Sequence, residues 1–170
     1  VFTPWLEHAD PEVVACVRRT LAALTDAGAT LVEVDLPDLE HARLSHAVTI
    51  LTEMATAMDP HLGEHRTDFG LSVRLNLAMA RGLTSRDYVR AQQGRTRAAR
   101  SFERVLADVH AVVTPTTACT APVLRPDAVA LGESDLDVTS RLMRFVFPSN
   151  LTGHPALSVP CGYDAQGLPV

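Results

Sequence analysis

The chain has 170 residues, enough for one domain of ordinary size with a buried core. Hydrophobic residues make up 46% and charged residues 21%, which is typical of a globular protein and excludes a disordered one. The net charge of −5 argues against a nucleic-acid-binding protein, because phosphate contacts need a basic face. We also expect no membrane partner, since no apolar stretch approaches the ~20 residues that a spanning helix needs.

The cysteines indicate a reducing compartment. Cys16, Cys119 and Cys161 are an odd number at wide spacing, which favours reduced thiols over a disulfide framework. We therefore expect a cytoplasmic protein. The chain begins without Met and stops at Val170 inside an apolar run that reads as a strand, so we expect a piece of a longer protein.

The first third of the chain predicts a helix followed by a strand. Val1 to His8 is short and apolar and reads as the end of a strand. Asp10-Pro11-Glu12 is a strong helix start, with Asp as the cap and Pro in the first turn, and Gly28 ends that helix. Ala29 to Leu36 is rich in Val and alternates, which predicts a strand.

A second helix is predicted from Pro37 to about Met58, followed by a polar loop from His61 to Asp68. Within that loop, His61, Glu64 and His65 have a spacing that could hold a metal on a helix. Pro60 and Gly63 interrupt helical structure here, and no further Cys or His cluster completes the four ligands of a metal site. A solvated loop is the better interpretation, and we expect no metal site.

Two further helices are predicted, Leu71 to Met79 and Arg86 to about Val109, the second capped by Thr84 or Ser85. The longer helix carries six arginines, which could form a nucleic-acid patch. A solvated face is the better interpretation in an acidic chain without interleaved exposed aromatic residues. The arginines are Arg86, Arg90, Arg95, Arg97, Arg100 and Arg104.

The segment after this helix predicts a strand and a rigid loop. The apolar run from His110 to Val113 reads as a strand that delivers the Pro-containing loop Thr114 to Ala118. Arg125 to Gly132 reads as an irregular surface connection. A last helix is predicted to start at Ser134 and to kink or end at Pro148.

The stretch from Asn150 to Gly162 predicts the end of a helix and a buried strand. Gly153 followed by Pro155 stops the helix, and Ala156 to Val159 is an apolar run between prolines. Asp164 to Gly167 is a turn signal, and Leu168 to Val170 opens a second strand. With the earlier segments, this predicts an α/β fold, in which a mixed β-sheet is flanked by helices.

The same stretch, Asn-Leu-Thr-Gly-His-Pro-Ala-Leu-Ser-Val-Pro-Cys-Gly from Asn150 to Gly162, resembles a C-terminal element of the amidase signature family. Asp10 to Val13 and Thr114 to Thr116 also match strings of that family. The resemblance implies amide hydrolysis through a Ser nucleophile, a second Ser and a Lys base, without a cofactor. It also implies that residues 1–170 are the C-terminal portion of the domain, with the catalytic segment before Val1.

None of those catalytic residues can be assigned here, because the sequence has no Ser-Ser pair and no Lys. A Cys161–His154 pair is an alternative, but a cysteine after Pro160 on a buried strand is more typical of an inert packed thiol. We therefore assign no catalytic residue. For substrate binding we single out Met143, Phe147 and Asn150, which fall on one face of a helix; that face could equally be core.

We expect the parent protein to be an amidase acting on a small-molecule amide. Three alternatives stay open: a non-catalytic substrate-binding or partner-docking module, a protein like the ammonia-supplying A-type subunit of an amidotransferase, and a structural fragment with no activity of its own. The resemblance also leaves a homodimer open. Neither the substrate nor the oligomeric state follows from a resemblance in fold.

Overall fold

The computed structural model describes residues 1–123 and 135–170, which form helices joined by turns and non-helical segments. The helices are α1 (Thr3–Leu6), α2 (Pro11–Asp26), α3 (Leu39–Met58), α4 (Leu71–Ala80), α5 (Ser85–Asp108), α6 (Leu136–Leu142) and α7 (Phe147–Thr152). A 3₁₀ turn, Asp59–His61, follows α3. The connection predicted at Arg125 to Gly132 lies outside the described residues.

The predicted mixed β-sheet, and with it the α/β fold class, is wrong. The only pairing in the described part of the chain is an isolated antiparallel bridge between Tyr163 and Pro169. The Val-rich alternation of residues 29–36 disfavours helix, but a strand also needs a neighbour that offers backbone partners. Within the described ranges, residues 30–36 find such bonds only with Val1 and in the turn that starts α3. Leu31 and Val32 accordingly stay 47% and 45% exposed.

The opening of the chain is helical, although it reads as the end of a strand. Pro4 lies in the first turn of α1, where its missing N–H costs nothing. The short helix turns Trp5 and Leu6 inward, and both side chains are only 5% exposed. The apolar pattern therefore correctly indicated burial and wrongly indicated the backbone conformation.

Helix α2 begins at Pro11, as predicted, and buries Val13, Val17 and Leu21, which recur at helical spacing. Asp10 is the N-cap residue, but its side chain makes no capping hydrogen bond. Its carboxylate instead forms an ion pair with Arg141 of α6. This pair joins two residues that lie 131 positions apart in the sequence.

Helices α3 and α5 cross at close range and carry polar links along their contact. The Gln92 side chain donates to the Thr49 hydroxyl at 3.0 Å, and the Tyr88 hydroxyl donates to Glu53 at 2.9 Å. Gly94 of α5 lies directly against Ser45 of α3. The small residues at this contact allow the two backbones to approach.

The main core gathers around Trp5. Its ring meets the rings of Phe145 and Phe147 edge-on, with centroids 5.4 and 5.5 Å apart. The last predicted helix is in fact two: α6 ends at Leu142, a turn follows, and Pro148 lies in the first turn of α7. Because Pro lacks an N–H, it fits that first turn and separates the two helices.

Helix α7 then ends at Gly153, which has a φ of +82° and closes the helix in the left-handed conformation. The predicted stop is therefore confirmed. None of the helices in the described ranges is long and apolar enough to cross a membrane.

Candidate functional site

The Pro-containing loop at residues 114–119 is fixed by backbone hydrogen bonds to two distant elements. The Asp10 N–H donates to the Ala118 carbonyl at 2.7 Å, and the Ala118 N–H donates to the Arg141 carbonyl at 3.1 Å. The Thr117 hydroxyl donates to the Cys119 carbonyl at 2.7 Å. The loop is thereby held between the start of α2 and the end of α6.

A second segment, residues 154–160, lies beside this loop. The hydroxyls of Thr116 and Ser158 are 2.9 Å apart and hydrogen-bonded to each other. The prediction of a buried strand here is wrong: Leu157 is 88% and Val159 59% exposed. An apolar run between prolines does not by itself supply a covering layer, and the described residues provide none.

The hydroxyl pair has no base beside it. Within the described ranges, no imidazole or carboxylate is hydrogen-bonded to Thr116 or Ser158. An unactivated hydroxyl is a weak nucleophile, so the pair can hold a polar group but cannot attack one. The sequence also contains no lysine that could serve as the base.

The two residues of the alternative Cys–His pair face different partners. The Nδ1 of His154 is 2.8 Å from the Thr152 hydroxyl, and its ring packs 5.8 Å from that of Phe102. Cys161 instead packs at α2, and burial raises the pKa of its thiol. Without an imidazole partner, this thiol lacks the general base that a catalytic nucleophile of amide hydrolysis needs.

The three predicted substrate-binding residues are not on one helical face, because the turn between α6 and α7 separates Met143 from the other two. Met143 is 45% exposed, and Asn150 is exposed as well. Phe147 is only 2% exposed and lies in the core beside Trp5. Their contact with a substrate stays a prediction.

Two arginines that sequence reasoning did not single out hold this surface in place. Arg141 pairs with Asp10, and that contact raises the pKa of its guanidinium further. Arg144 donates to the Nδ1 of His8 at 2.7 Å, which requires that nitrogen to be unprotonated. No local pattern marks either arginine, because each partner lies more than a hundred residues away in sequence.

The predicted polar loop after α3 forms turns, in which His65 contacts Asp68 at 3.0 Å. No group of three or more His, Cys, Asp or Glu side chains that could hold a metal occurs in residues 1–123 and 135–170.

Comparison with known proteins relates the whole chain to one protein family. A family model described as Amidase matches residues 2–170. The fatty acid amide hydrolase of Medicago truncatula is 38% identical over 173 residues, covering all of this chain and 28% of that protein. The A-type subunit of the glutamyl-tRNA(Gln) amidotransferase of Myxococcus xanthus is 32% identical over 190 residues, covering 96% of this chain and 38% of that protein.

A solved structure gives the same result for the fold. The crystal structure of an amidase superposes on 99% of this chain with a TM-score of 0.79 and 26% identity, and the match covers 38% of that structure. The chain thus spans only about a quarter to two-fifths of the proteins it matches. Because the family match covers all but the first residue, the chain belongs to the amidase family.

Proposed function

We propose that the protein containing this chain hydrolyses a carboxylic amide to an acid and ammonia or an amine. In this proposal the chain supplies part of the wall of the active site, and the Ser nucleophile lies outside residues 1–170. We place the nucleophile and the base outside this chain because the chain contains no lysine, although it matches the amidase family over residues 2–170. A Ser–Ser–Lys mechanism needs that base, and no other group here takes its place.

The wall we propose is the surface where residues 114–119 and 154–160 lie side by side. Its backbone is held rigidly by the Ala118 hydrogen bonds, as the wall of a preorganised site must be. Within residues 154–160, the apolar side chains of Leu157 and Val159 are 88% and 59% exposed. Exposed apolar side chains grouped at one surface typically mark a contact with another molecule or another part of the protein.

Within this proposal, Met143 and Asn150 contact the substrate directly. Both are accessible, and the Asn150 amide makes no hydrogen bond in the described part of the chain, so its donors and acceptor are available. Phe147 is buried, and we propose that it acts indirectly, by holding the start of α7 against Trp5.

For the substrate, we propose an amide with an apolar acyl group. Support comes from the exposed apolar side chains of the proposed wall. The relative named fatty acid amide hydrolase is also 38% identical to this chain, compared with 32% for the amidotransferase protein. An apolar acyl group would leave water on contact with such a wall, at about 25 cal/mol per Å² of buried area.

The similarity to the A-type subunit of an amidotransferase supports a second candidate. In that case the intact protein would release ammonia for transfer and would need a partner that consumes it. Free hydrolysis of simple amides with no added acceptor favours the amidase. Ammonia release that depends on an acceptor favours the second candidate.

We also propose a cytoplasmic location, supported by the three free thiols. The absence of a nucleic-acid partner and the homodimer stay predictions.

The experiment compares amide hydrolysis by the intact enzyme and two variants, with acyl chains of increasing length. Met143→Ala should lower kcat/KM for long acyl amides more than for short ones, because it removes an apolar contact. Met79→Ala is the matched control, since Met79 is 57% exposed and lies on α4, which contributes no residue to the proposed wall. Equal changes for both variants, or no preference for longer acyl groups, would contradict the proposed substrate class.

A further inference from the structure

We propose that Cys16 and Cys161 form a two-thiol oxidation site, which closes to a disulfide and ties α2 to the C-terminal turn. Nothing in the proposed amide chemistry uses either residue. Both are free thiols in the structure.

The geometry brings the two residues to one place. The Cys16 Sγ lies 3.6 Å from the Tyr163 carbonyl oxygen. A Cβ built on Gly162, the residue next to Cys161, would lie 3.1 Å from the same sulfur. Gly162 has a φ of +149°, which favours glycine. Because glycine has no side chain, the backbone can also pass close to α2 at this residue.

Packing places the Cys161 side chain against α2. Cys161 packs against the apolar cluster that contains Val13, Val17 and Leu21 of this helix. Cys16 lies between Val13 and Val17 in the sequence of α2, and residues three or four apart on a helix are neighbours on its surface. The Cys161 side chain therefore lies beside the part of α2 that carries Cys16.

The surroundings give the two thiols different roles. Cys161 is half-buried, so a small oxidant can reach it, whereas Cys16 is only 1% exposed. Arg19 places its Nη2 3.0 Å from the Cys16 Sγ. Because Cys161 is the more accessible thiol, it is oxidised first, and Cys16 is the one that resolves it.

The reaction needs one hydroperoxide. The Cys161 sulfur attacks the terminal oxygen, the O–O bond breaks, and the departing alkoxide or hydroxide takes the thiol proton, leaving a sulfenic acid. The Cys16 thiolate then attacks the Cys161 sulfur, and the S–O bond breaks. Hydroxide leaves and takes the proton that Cys16 has lost. Two thiols thus lose two electrons, and the hydroperoxide becomes an alcohol and water.

Cys119 provides an internal control. It is buried in the loop held by Arg141, and burial raises the pKa of its thiol. It lies in the fixed 114–119 loop, away from the contact between Cys16 and the C-terminal turn. The proposal therefore excludes it from the disulfide.

The test treats the reduced full chain with hydrogen peroxide, caps the remaining thiols after denaturation, and maps the peptides by mass spectrometry. We expect the thiols of Cys16 and Cys161 to be lost together, with one linked peptide that dithiothreitol separates. Cys119→Ser should leave this result unchanged. Cys16→Ser should abolish the link and leave Cys161 singly oxidised.

A kinetic variant tests the role of the guanidinium. Arg19→Gln should slow formation of the link by at least about threefold, because it removes the guanidinium that contacts the Cys16 sulfur. Arg18→Gln is the matched control, since Arg18 is exposed and pairs with Glu7. The mapping experiment on the unmutated chain gives its result whether or not the variants fold. A link that includes Cys119, a link between two chains, or oxidation of Cys161 without loss of Cys16 would overturn the proposal.

Discussion

Gly94 of α5 lies so close to Ser45 of α3 that a Cβ on the glycine would overlap the Ser45 hydroxyl and lie 3.1 Å from its Cβ. Ala42, Ala91 and Ala98 are buried on the same two helices. The packing of the two longest described helices therefore depends on small side chains at the contact.

Gly94→Ala should destabilise the chain. A helical Gly→Ala change alone gains about 1 kcal/mol, but forcing a methyl group into a packed contact costs ~1–3 kcal/mol. Adding Ser45→Gly should recover most of the loss, because it removes the atoms that overlap. Urea denaturation measures both, and Gly63→Ala, with no atom within 4 Å, is the control. A stabilised Gly94→Ala variant would show that the helices lie farther apart.

Thr84→Ala should lower the free energy of unfolding by ~0.5–2 kcal/mol, because Thr84 caps α5. Its hydroxyl accepts from the Asp87 N–H at 3.3 Å, and the Asp87 carboxylate accepts from the Thr84 N–H at 2.8 Å. The sequence allowed Thr84 or Ser85 as the cap, so Ser85→Ala is the matched control. Thermal or urea unfolding that ranks Ser85→Ala as the more damaging change would contradict this assignment.

Leu157→Asp should be tolerated, whereas Leu151→Asp should unfold the chain. Leu157 is 88% exposed and Leu151 is 3% exposed in the core, although the two lie only six residues apart. An unpaired charge in a core is among the most damaging substitutions, and exposed changes usually stay within about 0.5 kcal/mol. Circular dichroism and urea titration of the 170-residue chain compare them. Equal losses would mean that residues 154–160 are covered in solution.

Helix boundaries followed from the sequence better than burial did. Pro11 and Met58 mark helix ends that caps and periodicity predicted correctly. The buried face of α3 includes Ser45 and Thr49, which an apolar pattern does not mark, while the apolar Ile50 is 43% exposed. Buried hydroxyls are tolerated there because each donates to the carbonyl one turn earlier, at 3.0 Å for Ser45 and 2.8 Å for Thr49.

The predicted sheet and the predicted helical face shared by Met143, Phe147 and Asn150 were wrong for a different reason. Val32 and Leu157 lie in patterns typical of strands, but pairing and burial depend on neighbours that a local pattern does not describe. The same limit applies to Phe147, whose spacing from Met143 suggested a shared face. The turn between α6 and α7 breaks that face, and Pro148 marks where the second helix begins.

His46 should make stability fall as the pH drops below about 6.5, the ordinary pKa of His. Burial lowers the pKa of His46, whose ring lies 5.7 Å from that of Phe147. The unfolded chain therefore binds a proton at His46 more readily than the folded chain does. The contribution of neutral His46 to the free energy of unfolding is complete above the ordinary pKa of His and is lost as the pH falls below that value.

Urea denaturation between pH 7.5 and 5.5 measures this effect. His46→Gln should flatten the curve, and His61→Gln, a change at an exposed residue of the 3₁₀ turn, should not. The window stays above pH 4, below which Asp87 and Asp164, with their lowered pKa values, lose their own stabilising contributions. An unchanged slope in His46→Gln would contradict the burial of its ring.

The central claim is that these residues form part of an amidase and lack the nucleophile and the base. Losing both groups removes the covalent step, and loss of a triad residue costs on the order of a millionfold in turnover. The direct measurement is ammonia release from a panel of aliphatic and aromatic amides, with fluorophosphonate labelling as a second readout. We predict neither turnover nor labelling for the 170-residue chain, and both for a longer polypeptide that includes the Ser–Ser–Lys segment. Turnover that survives repurification of the 170-residue chain, or stoichiometric labelling of any of its eight serines, would contradict the account.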